Sequence, residues 1–174
     1  ASTLLTVVVD TTAPVITLSG SASPTTAEAG FDYNDAGAVA DGGESVDTSG
    51  TVNTSILGDH QLTYTAEDSA GNVGTATRTV NVKDTTKPVI ALAGDAEVTI
   101  EVGDPYQEQG VTVSDNYDTN LTVTIDSSDV KTSVVGSYEV IYSATDDFEN
   151  NETFEKFKTY YNLGEKALVE KLKK

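Results

Sequence analysis

Apolar positions recur along most of this chain with a period of two. Tyr138, Val140, Tyr142 and Ala144 alternate with Glu139, Ile141 and Ser143, and upstream His60, Leu62, Tyr64 and Ala66 occupy alternate positions in the same way. Successive side chains of an extended strand point to opposite faces, so this period marks strands with one buried face. Threonine and valine are abundant, and Gly, Asn and Asp interrupt the pattern about every eight to twelve residues, the spacing of an all-β sandwich. The pattern predicts strands over residues 4–9, 14–19, 24–29, 36–40, 50–56, 60–67 and 74–82, with counterparts further on, and no helix over residues 1–152.

Those counterparts exist because the chain repeats itself. Asp10-Thr-Thr-Ala-Pro-Val-Ile-Thr-Leu18 returns 74 residues later as Asp84-Thr-Thr-Lys-Pro-Val-Ile-Ala-Leu92. Tyr33 falls over Tyr106 and Gly37 over Gly110 at an offset of 73, then Gly58 falls over Gly136, Tyr64 over Tyr142, Asp68 over Asp146 and Asn72 over Asn150 at an offset of 78. An internal repeat settles the domain organisation before any other feature. Residues 10–83 form one repeat and 84–162 a second, longer in its middle. Residues 1–9, ending in Leu4-Leu-Thr-Val-Val-Val9, are expected to be the last strand of a preceding repeat. The strand opening at Gly136-x-Tyr138 has the form of a tyrosine corner, in which the phenol bonds back to the backbone, and His60 stands at that place in the first copy.

The 174 residues include 28 acidic and 10 basic side chains, a formal charge of −18. The imbalance lies in residues 1–154, with 25 acids against 4 bases, whereas residues 155–174 carry 6 bases and 3 acids. Such a field repels nucleic acid and anionic membrane surfaces and suits hard cations. No apolar run is long enough to span a bilayer, so membrane insertion is not expected. There is no cysteine, which removes disulfides and thiol chemistry. A repeat of about 75 residues is near the lower limit for a core unaided by disulfides, which makes bound metal or contact between neighbouring repeats attractive.

The Asp-Thr-Thr-x-Pro-Val-Ile-x-Leu string, the Ser114-Asp115-Asn116 triplet and Tyr64-Thr-Ala-Glu-Asp-Ser-Ala-Gly-Asn72 together resemble the tandem bacterial immunoglobulin-like repeats, including the HYR-like class and the Ig-like modules of pesticidal crystal proteins. The resemblance covers residues 5–152. It implies tandem immunoglobulin-like β-sandwiches of a bacterial surface or secreted protein, used as adhesin stalks or as accessory modules beside enzymatic domains. The last stretch departs from the pattern. Residues 154–161 do not match their counterpart yet keep an alternation that permits a final strand, and residues 163–174 read as a short basic helical tail.

The candidate chemistry is carboxylate chemistry. In an immunoglobulin-like strand order the B–C and F–G loops emerge at the pole where the chain enters. That would gather Asp84, Asp115, Asp118 and Asp146 in the second repeat, and Asp10, Asp41, Asp68 and Glu44 in the first. Clustered carboxylates repel, and calcium, which takes six to eight oxygens at flexible geometry, resolves the conflict and would brace each connector. The competing reading is that these are turn residues bonding their own loops. Tyr117 and Phe148 sit on the same loops of the second repeat and are candidates for contact with a surface glycan or receptor. No Gly-x-Ser-x-Gly elbow, phosphate-cradling loop or zinc-ligand pair is present. The expectation is therefore a non-catalytic extracellular spacer stiffened by calcium, with neighbouring repeats as partners. The alternative is a carbohydrate- or receptor-binding accessory module.

Overall fold

The computed structural model describes residues 9–21, 24–155 and 158–161, and the chain divides after Asp84 into two compact units. The strand expected over residues 4–9, apart from the exposed and unpaired Val9, and the helix expected over residues 163–174 lie outside the described residues. No helix among the described residues is long and apolar enough to cross a membrane.

The first unit contains β1 (Ile16–Leu18), β2 (Thr25–Glu28), β3 (Ala38–Ala40), β4 (Asp47–Ser49), β5 (Gly58–Glu67) and β6 (Val73–Lys83). β1 pairs antiparallel with β3, Thr17 opposite Val39. The other strands form a four-stranded sheet in the order β2-β6-β5-β4. Within it β5 and β6 pair without interruption from Gly58 opposite Val82 to Glu67 opposite Val73, while β2 runs parallel to β6. β1 packs across β5 and β6. Leu62, Tyr64 and Ala66 point inward from β5, as the alternation predicts, and meet Val80 and Val82 of β6 with Ala27 and Ala40 in the buried core.

One predicted strand is displaced. Residues 50–56 do not pair; the chain pairs just before them, at β4, and then turns. Gly50 takes φ +95°, and a Cβ there would lie 2.4 Å from the Gln61 carbonyl oxygen. The Asn53 side chain accepts the Ser55 N–H at 3.0 Å, and its carbonyl accepts the Ile56 N–H at 3.1 Å. Glycine and asparagine thus outweigh the strand preference of Val52 and Ile56.

The second unit contains β7 (Val89–Leu92), β8 (Glu97–Ile100), β9 (Val111–Ser114), β10 (Thr122–Asp126), β11 (Ser137–Tyr138), β12 (Ile141–Thr145), β13 (Asn151–Glu155) and β14 (Lys158–Tyr161). β7 pairs with β9, β12 lies between β10 and β13, and β14 lies between β11 and a parallel β8. The long hairpin of the first unit is here split in two. Tyr138 and Ile141 are three positions apart, but their partners Thr159 and Glu155 are four apart, so the register steps by one. The divergent stretch from residue 154 supplies the end of β13 and all of β14. Ile90, Val140, Tyr142 and Ala144 form the core, with Leu92, Val98, Tyr106, Val111, Val113 and Val130 packed against it.

The corner expected at the start of the inward-facing strand is present in both units. The Tyr138 hydroxyl donates to the Val134 carbonyl at 3.1 Å. His60 makes the same reach of four residues, its Nε2 lying 2.8 Å from the Ile56 carbonyl oxygen. The single histidine of the chain is thereby a structural donor.

Candidate functional site

Each sandwich presents its carboxylates on loops, and the loops owe their shape to them. In the first unit Asp10 accepts the Thr12 N–H at 2.9 Å and Asp41 accepts the Val15 N–H at 2.9 Å. Asp68 accepts from the N–H groups of Ala70 and Asn72 at 2.8 and 2.9 Å and from the Asn72 side-chain amide at 2.8 Å. The Asn72 amide also donates to the Asp10 carbonyl at 3.3 Å, tying the incoming chain to the β5–β6 turn. Asp10, Asp41, Glu44 and Asp68 all line one open depression of about 480 Å³.

In the second unit Asp115 accepts the N–H groups of Tyr117 and Asp118 at 2.9 and 3.1 Å. Asp118 accepts from Asn120 at 2.8 Å and, across to the β12–β13 turn, from the Asp147 N–H at 2.7 Å. Asp146, 5% exposed, closes that turn by accepting from Phe148, Asn150 and the Asn150 amide at 2.8 to 2.9 Å. Backbone donors hold the Asp118 carboxyl below the ordinary aspartate range, those of Asn120 and Asp147 first. The Asn72 side chain does the same for Asp68. Asp84 is buried at the end of the first unit. Among the described residues no three Asp, Glu or His side chains converge closely enough to hold a metal ion. Tyr117 and Phe148 do meet, with ring centroids 5.9 Å apart and planes inclined at 57°.

A second constellation, passed over in the sequence, lies inside each unit. Asp35 accepts the Tyr64 hydroxyl at 2.8 to 2.9 Å, the Tyr33 hydroxyl at 3.3 Å, the Gly37 N–H at 2.9 Å and the Arg78 guanidinium at 2.6 Å. Arg78 is 2% exposed. It donates further to the Ser19 and Gly37 carbonyls and lies over the Tyr64 ring, 5.7 Å from its centroid. In the second unit Glu108 accepts the hydroxyls of Tyr106 and Tyr142 at 2.6 Å each and the Gly110 N–H at 2.7 Å. The signal is a short motif, Tyr33-x-Asp35-x-Gly37 repeated as Tyr106-x-Glu108-x-Gly110, combined with the tyrosine of the inward-facing strand. It ties the loop before β3, and in the second unit the loop before β9, to the inward-facing strand through one half-buried carboxylate per unit, a structural task.

The described residues thus show carboxylates that shape loops and carboxylates that anchor cores. Over 114 residues, 60% of this chain, the sequence is 35% identical to an 81.3 kDa protein of Acholeplasma phage L2, covering 15% of that protein. Over 104 residues, 56% of the chain, it is 35% identical to the pesticidal crystal protein Cry22Aa of Bacillus thuringiensis, covering 14% of it. The chain therefore spans only a small part of the curated relatives it matches. The family model of the bacterial surface protein Ig-like domain matches twice, over residues 16–82 and 90–156. One match falls on each unit, and the chain belongs to that family.

Proposed function

We propose that the chain is a non-catalytic, extracellular spacer segment whose units carry tension in series. The observation that supports this most directly is the parallel pairing of β2 with β6 and of β8 with β14. β2 lies early in its unit and β6 closes it. Because the two run parallel, pulling the ends of the unit apart drags these strands past one another, and their ladder bonds must break together. An antiparallel pair at the same place would open one bond at a time.

Pulling single molecules by their termini tests the reading. Two unfolding events are expected, each releasing on the order of 24 nm for roughly 70 residues at about 3.5 Å each. Alternate residues of an edge strand turn their N–H toward the partner, so proline at either Thr25 or Thr26 removes a β2–β6 bond. One of these two variants should lower the force at which the first unit opens and leave the second unit as it was. If neither does, or if both units open at the low force of a strand peeled end-on, the spacer reading fails.

Calcium belongs to the same proposal. Its support is the depression lined by Asp10, Asp41, Glu44 and Asp68, with Asp115, Asp118 and Asp146 as the corresponding loop set of the second unit. A carboxylate offers about four acceptor sites, so the turn bonds leave oxygens for an ion if the loops draw inward.

A second reading is favoured by the paired Tyr117 and Phe148, the latter 41% exposed. The likeness to a stretch of a pesticidal crystal protein agrees with it. In that reading the second unit is also a recognition module.

A further inference from the structure

The turn that joins β5 to β6 in the first unit and β12 to β13 in the second offers an internal comparison. In the first unit it reads Asp68-Ser-Ala-Gly-Asn72, with Gly71 at φ +85°. In the second it reads Asp146-Asp-Phe-Glu-Asn150, and Glu149 takes φ +66°, the one non-glycine among the described residues in the left-handed region. Both turns close alike, through an N–H bond from Asp68 to the Asn72 carbonyl at 3.0 Å and from Asp146 to the Asn150 carbonyl at 3.2 Å. The backbone therefore does not require the exchange of Ser-Ala-Gly for Asp-Phe-Glu, and the new side chains strain it.

What the exchange adds is an aromatic ring between two acids, Asp147, Phe148 and Glu149 all exposed. The Phe148 and Tyr117 rings pack against each other tilted at 57°, with Phe148 left 41% exposed. The loop bearing Tyr117 is fixed to this turn, because Asp118 accepts the Asp147 N–H at 2.7 Å and the Asn120 amide lies 3.4 Å from both Asp147 carboxylate oxygens. The aromatic pair is thus held in place by the bonds between its two loops.

We infer that this turn and Tyr117 recognise a lysine or arginine side chain of a partner protein. The cation would lie against the exposed Phe148 ring beside Tyr117, with Asp147 as its counter-charge. The inference rests on the reading of the second unit as a recognition module and adds the chemistry of the ligand. Aromatic faces are negative and attract ammonium and guanidinium groups. A chain of formal charge −18 draws cationic partners from a distance, which gives a neutral sugar no advantage. Asp147, Phe148 and Glu149 are exposed, within reach of a side chain presented on a protein surface.

A labelled Gly/Ser-rich peptide bearing one arginine or lysine, titrated with the full chain at about 0.15 M salt, tests this. An acidic chain attracts any cation diffusely, so the deciding variant is Phe148→Ala, which leaves the charge unchanged. Saturable binding is expected, weakened roughly three- to tenfold by Phe148→Ala. Asp147→Asn should weaken it as well, more strongly at low salt. Phe148 is exposed, and an amide NMR spectrum matching the parent outside residues 115–120 and 146–150 shows the fold intact. Absence of saturable binding, or equal binding by Phe148→Ala, overturns the inference. Capture of a neutral glycan in place of the peptide, lost in Phe148→Ala, also overturns the cationic ligand while leaving the recognition reading in place.

Discussion

Asp35 and Glu108 show how one carboxylate can organise a small sandwich. Burial pushes the Asp35 carboxyl up, but the Tyr64 hydroxyl, the Gly37 N–H and the Arg78 charge outweigh it and hold the group below its ordinary value. For Glu108, burial is likewise outweighed by the hydroxyls of Tyr106 and Tyr142 and by the Gly110 N–H. A carboxyl depressed by folding stabilises the fold above its unfolded value, about 3.9 for Asp and 4.3 for Glu, and that stability is lost as pH falls through the folded value. Melting curves from pH 6 to pH 2 should therefore show a fall below about pH 4 that Asp35→Asn flattens for the first unit and Glu108→Gln for the second. Both variants should be less stable than the parent at pH 7, since an amide is a weaker acceptor for these donors. Tyr64 carries the opposite sign: burial and then the Asp35 bond push its phenol up to about 12, so its contribution is present below about pH 10 and lost as pH rises toward 12. Tyr64→Phe should remove that alkaline dependence and cost about 1.5–3 kcal/mol, the range for losing a hydrogen bond to a charged group. An acid fall unchanged in both carboxylate variants would refute the assignment.

At the scale of strands and turns, the period-two pattern marked the inward faces correctly, because burial of Leu62, Tyr64 and Ala66 depends only on alternation along one strand. It misplaced the strand at residues 50–56, where local bonds of Gly50 and Asn53 decide and no periodicity records them. The internal anchors were less legible for a different reason. An aspartate between Tyr33 and Gly37 looks like one more loop acid until the fold brings Tyr64 to it from 29 residues away. Asp10, Asp41, Glu44 and Asp68 line one depression of the first unit, and the hydrogen bonds of Asp10, Asp41 and Asp68 show the turn-shaping role that Asp and Asn often play. The turn at Glu149 was legible in sequence too, since losing the glycine of the first copy implies strain if the turn is kept, and the turn is kept. Glu149→Gly should therefore stabilise the second unit by about 1 kcal/mol, the left-handed penalty less part of the extra chain entropy of glycine. Chemical denaturation reads this directly, and a destabilised Glu149→Gly would mean that the side chain repays the strain through its contacts.

For the whole molecule, charge is the property that separates diffuse from specific effects of ions. The formal charge of −18 opposes compaction at low ionic strength, where the Debye length is about 30 Å at 0.01 M, and is screened at 0.15 M, where it is about 8 Å. Sodium chloride should therefore raise the melting temperature over that range without any site. Calcium must do more than screen if Asp10, Asp41, Glu44 and Asp68 take an ion. At equal ionic strength, and with free calcium at about ten times its dissociation constant, a single site adds about 1.4 kcal/mol beyond the screening effect. Asp41→Asn combined with Glu44→Gln should erase that excess in the first unit, since the amide of Asn still accepts the Val15 N–H but carries no charge for the ion. A calcium curve that overlays the sodium curve removes the ion from the proposed function. The tension-bearing role would survive that result, because it depends on the parallel β2–β6 and β8–β14 ladders and not on the loops.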